Sequence, residues 1–241
     1  MADIMFENLA EAISSAMRPL SNGHLHCIPY SRALLDFFEL RGKTATPLVV
    51  RCVILGRPTP ATQWWNPNTL QKVITYAREA PHANDTIEVA LPQQGAMPPP
   101  KIKVPYRTLG FAHSHDSGDH TLGGYENGAW LGHLVVVCEN TVIDLTIGQL
   151  NDTKFAIDIT PPYITIEADV PFLTGKAPVV GIRTDGSAIA YFAFPDERTY
   201  EKSDSWVNVD FRKQLHEVAQ DVVIQFGGKS DEALHQAKEN L

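Results

Sequence analysis

Residues 131–148 constrain the fold more than any other part of the chain. Two runs rich in β-branched residues, 131–138 and 141–146, flank the dipeptide Glu139-Asn140. Runs of this length and composition are typical of strands, and a two-residue connection between them indicates a tight turn. The pattern therefore predicts an antiparallel hairpin.

This turn also determines which residues of the hairpin face one another. With Glu139-Asn140 as the turn, His133 lies opposite residue 146, and Asp144 is its diagonal neighbour on the same face. Diagonal neighbours are about 7 to 8 Å apart at Cα, within reach of a carboxylate-to-imidazole hydrogen bond. Strand alternation points Cys138 to the opposite face. We therefore expect Asp144 to orient His133.

Helical periodicity appears in three other segments. Phe6, Leu9, Ile13 and Met17 predict a first amphipathic helix over 5–17. The segment CIPYSRALLDFFELRG predicts a mostly buried helix that starts at Cys27, has Pro29 in its first turn and ends at Gly42. A third helix is predicted to stop at Gly227-Gly228.

Further strands are predicted at 46–55, 162–168, 178–184 and 188–194, the last two joined by Asp185-Gly186. The expected class is α+β, with N-terminal helices packed on an antiparallel sheet. Within it, Cys27 lies at the start of a helix.

The domain organisation follows from length and patterning. A chain of 241 residues with 44% apolar content is long enough for one large domain. We expect a single domain over 1–228, with an insertion at about 56–128 that covers or borders the site, and a polar C-terminal tail over 229–241. The insertion is expected to contain a helix near 70–79 and a proline-rich loop over 93–105.

Composition narrows the classes of partner and compartment. A formal charge of -8 disfavours nucleic acid and anionic membranes as partners. Apolar runs fall short of the roughly 20 residues needed to span a bilayer, and the N-terminus does not resemble a signal peptide. We expect a cytoplasmic protein whose three cysteines are free thiols. The sequence leaves the oligomeric state open.

The start of a helix favours a thiolate, because unpaired N–H groups and the helix dipole stabilise negative charge. Cys27 is predicted to occupy that kind of position, whereas Cys52 is predicted to lie in the core of a strand. The alternative for Cys27 is a small core residue, which is the usual fate of a free cysteine.

Three blocks of the chain together resemble a known superfamily. They are NGHLHCIPYSRALLDFFELRG, the strand TPLVVRCVI, and LGHLVVVCENTVIDLTIGQ, which carry cysteine, histidine and aspartate in that order. They are similar to the Cys, His and Asp blocks of transglutaminase-like and papain-like cysteine enzymes. Ile28 stands where animal transglutaminases carry tryptophan, and the surroundings typical of arylamine acetyltransferases are missing.

The resemblance implies a thiol-dependent acyl-transfer enzyme that acts on an amide or ester bond: a cysteine peptidase, an amidase or a transglutaminase-like enzyme. Cys27 would be the nucleophile, His133 the base and Asp144 the orienter, with no cofactor and no required metal. The substrate would be a peptide, a protein or a small amide. The Cys27 N–H is the first expected oxyanion donor and Asn22 the candidate second donor.

Two alternatives come from other classes. One polar segment contains five possible metal ligands: His113, His115, Asp116, Asp119 and His120. Imidazole and carboxylate groups commonly bind the metal ion of a metal-dependent hydrolase. Their spacing matches the HxHxDH pattern of metallo-β-lactamase-like enzymes only in part, and a solvated loop is the simpler reading. The other alternative is a catalytically inactive binding module of the same fold.

Trp64 and Trp65 lie in a proline-rich stretch. They are candidates for an aromatic wall beside the substrate. They would serve equally well as an apolar anchor for a long loop.

Overall fold

The structure is a computed structural model that describes residues 2–20, 26–55, 83–90, 101–111, 125–126, 129–130, 132–150, 159, 162–182 and 188–226. Its helices are α1 (Ala2–Met17), α2 (Cys27–Leu40), α3 (Val170–Leu173), α4 (Asp204–Val207) and α5 (Val209–Gln225), with 3-10 turns at Ile147–Leu150 and Thr199–Lys202. Its strands are β1 (Ala45–Leu55), β2 (Ala83–Ala90), β3 (Lys101–Phe111), β4 (Tyr125–Glu126), β5 (Ala129–Trp130), β6 (His133–Cys138), β7 (Thr141–Asp144), β8 (Ile164–Glu167), β9 (Val179–Ile182) and β10 (Ala188–Phe194).

The described elements form an α+β arrangement in which helices pack on an antiparallel sheet, as predicted. The predicted hairpin is confirmed as β6 and β7, with Val136 opposite Ile143 and Val137 opposite Val142. Glu139 in the turn has φ 56°, and its carboxylate accepts a hydrogen bond from the Lys43 ammonium at 3.1 Å. The predicted register of the hairpin is therefore the observed one.

Strand β1 organises the sheet because it pairs along both of its edges. One edge pairs with β10 over residues 49–55. The other edge is divided between two partners: residues 45–50 pair with β6, and residues 52–55 pair with β3. Strand β6 therefore begins, at His133, beside the position where β3 ends.

The sheet curls until two of its strands meet. Strands β6, β7 and β8 follow one another on one side of β1, and β10 and β9 follow on the other. At Gly181 in β9, an added Cβ would lie 2.7 Å from Cδ1 of Ile166 in β8. Gly181 leaves room for the Ile166 side chain at this point, and the two sheet ends come together around an apolar interior.

The two faces of the curled sheet bury different clusters. The interior contains apolar side chains from most strands: Leu48, Val50, Cys52, Ile54, Val135, Val137, Val142, Ile166, Ile189 and Tyr191. The outer face of the hairpin, through Val136, Cys138, Ile143 and Leu145, packs on α1, α2 and α5. Residues that alternate along β6 therefore point either into the curl or toward the helices.

The middle of the chain departs from one sequence prediction. Residues 101–105 were predicted to continue a proline-rich loop, but they lie in β3, which pairs with β2 and joins the main sheet. Pro105, which lacks an N–H donor, lies on the part of β3 that pairs with β2 alone. The prediction was wrong because proline density was taken to exclude a strand.

Three other expectations concern parts of the chain outside the described residues. They are the helix near 70–79, the turn at Asp185-Gly186 and the polar tail over 229–241. Among the described helices, none has the length and apolar character needed to cross a membrane.

Candidate active site

Cys27 is the first residue of α2, as predicted. Its N-cap residue is His26, which has extended backbone angles and whose side chain makes no capping hydrogen bond. The first N–H groups of an α-helix have no acceptor within the helix. The thiol is mostly buried, and it donates a long hydrogen bond to the carbonyl oxygen of Gly132, with Sγ and O 3.9 Å apart.

His133 directly follows Gly132 and is the first residue of β6. It lies opposite Val50 of β1, and its side chain is fully buried. One turn into α2, the buried Ser31 hydroxyl donates to the Leu134 carbonyl oxygen at 3.1 Å. This bond fastens the start of the helix to the start of the strand, so the fold itself brings Cys27 close to His133.

Asp144 is the last residue of β7 and lies diagonally from His133 across the hairpin. Nε2 of His133 and Oδ2 of Asp144 are 2.6 Å apart, and both side chains are fully buried. An ionised carboxylate can only accept, so Nε2 carries the proton. The ring nitrogen left to face Cys27 is then Nδ1.

Asp144 accepts three more hydrogen bonds, which occupy both of its oxygens. The Tyr191 hydroxyl donates to Oδ2 at 2.8 Å. The Thr146 backbone N–H and hydroxyl donate to Oδ1 at 2.9 and 3.2 Å. Hydrogen bonds from four donors replace those that the carboxylate would make with water. They offset the free energy cost of burying the charge, so the carboxylate stays ionised in the core.

The electrostatics of this pair favour an imidazolium beside a carboxylate. Burial by itself lowers the pKa of His133, but the Asp144 charge and hydrogen bond, with a further contribution from the Cys27 thiol, raise it from 6.5 to about 10. Burial raises the pKa of Asp144, yet the His133 charge and the hydrogen bonds from His133, Thr146 and Tyr191 hold it below 3.8. Both shifts stabilise the ion pair.

The other two cysteines are placed differently. Cys52 lies in the curl of the sheet, and burial, with a smaller contribution from the Asp144 charge, raises its pKa well above 9.0. Cys138 points to the face opposite His133, as predicted, where it packs on the helices, and burial raises its pKa too. Both thiols are therefore held in the neutral form, which is a poor nucleophile.

Several predicted site residues lie outside the described part of the chain: Asn22, Trp64, Trp65 and the polar segment His113–His120. Within the described residues, no group of three His, Cys, Asp or Glu side chains is arranged to hold a metal ion.

Tyr191 and Ser31 are two site neighbours that the sequence reasoning missed. Tyr191 sits in the apolar run AIAYFAF, which resembles core, and Ser31 lies inside a helical pattern. The sequence did carry a signal for both residues: each is a polar residue in an otherwise apolar strand or on the buried face of a helix. Buried polar groups need hydrogen-bond partners, so such positions indicate a nearby polar site.

The His133 and Asp144 pair is expected to link stability to pH. Because the folded pKa of His133 exceeds 6.5, its contribution is complete below pH 6.5 and is lost as the pH rises toward 10. The lowered pKa of Asp144 gives a contribution that is present above 3.8 and is lost as the pH falls through the folded value. The pair therefore contributes most to the stability of the folded protein between about pH 3.8 and pH 6.5.

We expect the free energy of unfolding to decrease by on the order of a few kcal/mol between about pH 6.5 and 10. Asp144→Asn should remove most of this slope, because the charge that raises the His133 pKa is gone. Urea unfolding at several pH values in this window measures both proteins. Equal slopes in the two would contradict the assignment.

Comparison of the chain with protein-family models, with curated proteins and with solved structures found no match.

Proposed function

We propose that this protein is a thiol-dependent acyl-transfer enzyme that acts on amide or ester bonds, with Cys27 as nucleophile, His133 as base and Asp144 as orienter. The observation that carries the proposal is the buried 2.6 Å hydrogen bond between His133 and Asp144, beside a cysteine at a helix start. Burying an ion pair costs desolvation free energy, so its presence calls for a reason. Next to a thiol, the pair can activate the sulfur as a nucleophile.

The proposed reaction has two halves. In the first, the Cys27 proton already lies on Nδ1 of His133, in keeping with the raised pKa of His133, and Sγ attacks the substrate carbonyl carbon as a thiolate. The imidazolium then gives that proton to the leaving amine or alkoxide as its bond to carbon breaks. In the second, His133 takes a proton from water or an amine, which attacks the thioester and releases Cys27. Cys27 leaves as a thiolate beside the imidazolium, which restores the starting state.

Asp144 supports both halves by staying ionised. Its carboxylate fixes Nε2 as the protonated ring nitrogen and stabilises the imidazolium that forms each time His133 takes a proton. The N–H of Cys27 is the proposed first donor to the oxyanion, since it lies at the helix start and next to the attacking sulfur.

The finer fold assignment belongs to the same proposal. A helix that begins at the nucleophile, a histidine at the start of one strand and an aspartate at the end of the next are the arrangement expected of papain-like and transglutaminase-like enzymes. The proposed substrates are peptides, proteins or small amides, in keeping with the resemblance.

The test is the reactivity of the Cys27 thiol, which requires no known substrate. Alkylation by iodoacetamide, followed by mass spectrometry of the peptide that contains Cys27, should be fast near neutral pH. His133→Ala should slow it by about tenfold or more at pH 6 to 7, because the cation that stabilises the thiolate is lost.

The matched control is His216→Ala. His216 also pairs with a buried aspartate, since its Nδ1 lies 3.5 Å from Oδ2 of Asp36, but it is carried by α5. This variant should alkylate at the wild-type rate. If His133→Ala behaves in the same way, the residues do not form one site, and a binding module of the same fold becomes the better description.

A further inference from the structure

The Tyr191 hydroxyl reaches the candidate site from the opposite side of the curled sheet. Tyr191 belongs to β10 and lies opposite Cys52 of β1, whereas Asp144 belongs to β7 on the other side of that strand. The hydroxyl crosses the interior to donate to Oδ2 of Asp144 at 2.8 Å. The contact is therefore a product of the curl and joins residues 47 positions apart.

The contact falls on the same carboxylate oxygen that binds His133. Oδ2 accepts from Nε2 of His133 and from the Tyr191 hydroxyl, while Oδ1 accepts only from Thr146 among these donors. Two donors on one oxygen, with the other oxygen held separately, define both the rotation of the carboxylate and the direction of its lone pairs.

The surroundings of the Tyr191 hydroxyl show that Asp144 depends on this hydrogen bond as much as the tyrosine does. Tyr191 and His133 are fully inaccessible to solvent, and Asp144 is 1% exposed. Water therefore does not replace a missing donor easily, and the loss of one hydrogen bond to a buried charge is felt in full. Apolar neighbours such as Val135 and Ile189 offer no substitute donor.

We propose that Tyr191 is a positioning residue for the Cys27, His133 and Asp144 site: its hydroxyl holds the Asp144 carboxylate in the orientation that binds His133. The inference rests on the proposed function. In this scheme Tyr191 acts through Asp144, to whose carboxylate its hydroxyl donates.

A double-mutant cycle separates this role from simple packing. The rate of Cys27 alkylation by iodoacetamide near neutral pH is measured in the full chain for wild type, Tyr191→Phe, Asp144→Asn and the double variant. Tyr191→Phe keeps the ring and should slow alkylation about 3- to 10-fold, as one lost charge-assisted hydrogen bond implies. In the Asp144→Asn background it should change the rate by less than about twofold.

The control is Tyr200→Phe, which removes a hydroxyl from an equally buried ring. That hydroxyl accepts from Arg198 at 3.2 Å, and its ring packs in the same buried cluster as Cys27. Its variant should alkylate at the wild-type rate. Circular dichroism checks folding in every case, and Tyr191→Met is used in the cycle if Tyr191→Phe does not fold.

The outcomes are distinct. Suppose that Asp144→Asn slows alkylation, as the proposed function requires. The positioning role of Tyr191 would then be overturned if Tyr191→Phe lowered the alkylation rate by the same factor in both backgrounds. It would also be overturned if Tyr191→Phe lowered the rate no more than Tyr200→Phe does. If Asp144→Asn itself has no effect, the proposed function fails and the role of Tyr191 fails with it.

Discussion

Cys27→Ala is expected to abolish acyl transfer and to reduce iodoacetamide labelling near neutral pH to background. Cys27 is the described cysteine that lies at a helix start and contributes to the pKa of His133. Folding stability should change by less than about 1 kcal/mol, because the change removes one sulfur atom and leaves the helix intact. Labelling with intact-mass detection and thermal unfolding measure the two effects.

Cys52→Ala and Cys138→Ala are the matched controls. Both thiols are buried and have raised pKa values, so their removal should leave labelling and activity close to wild type. Activity that survives Cys27→Ala, or labelling that follows Cys52 or Cys138 instead, would disprove the nucleophile assignment.

Asp144→Asn is expected to lower kcat by on the order of 10³- to 10⁴-fold, the size of loss seen when the acid of a catalytic triad becomes an amide. The amide keeps the shape of the side chain but carries no charge, so it neither stabilises the imidazolium nor fixes Nε2 as the protonated nitrogen. The hairpin should remain folded, since its ladder hydrogen bonds are unchanged. Until a substrate is found, the alkylation rate of Cys27 replaces kcat.

The control for this prediction is Asp36→Asn. Asp36 is also buried, and its carboxylate binds Arg32 at 2.9 Å and lies 3.5 Å from His216. It occupies the same helix as Cys27 but is roughly 13 Å further along it. A loss as large as that of Asp144→Asn would mean that any buried aspartate of this domain has the same effect and that Asp144 has no special role.

The hairpin and its two polar residues were predictable because their spacing is local. A two-residue turn and strand alternation together determine that His133 and Asp144 share a face, and the structure has them hydrogen-bonded. The start of α2 at Cys27 was predictable for the same reason, since helical periodicity and Pro29 mark it. Nearby residues set all of these features.

The remaining contacts depend on pairing between distant strands, for which the sequence carries no local signal. Tyr191 reaches Asp144 because the sheet curls, and Gly181 leaves room for Ile166 where the two sheet ends meet. Likewise β3 contains Pro105, which argues against a strand locally, yet the pairing with β2 prevails. Tertiary pairing overrode propensity in that case.

The division of one edge of β1 between β3 and β6 means that the strand that carries His133 is held independently of β3. The ladder that holds His133 opposite Val50 is complete without β3, and the ladder from Cys52 to Leu55 is complete without β6. Substitutions that weaken the pairing of β3 with β1 should therefore leave His133 paired with Val50 and hydrogen-bonded to Asp144. The position of His133 thus depends on residues 45–50 of β1, and the half of the edge from Cys52 to Leu55 can change its partner without moving it.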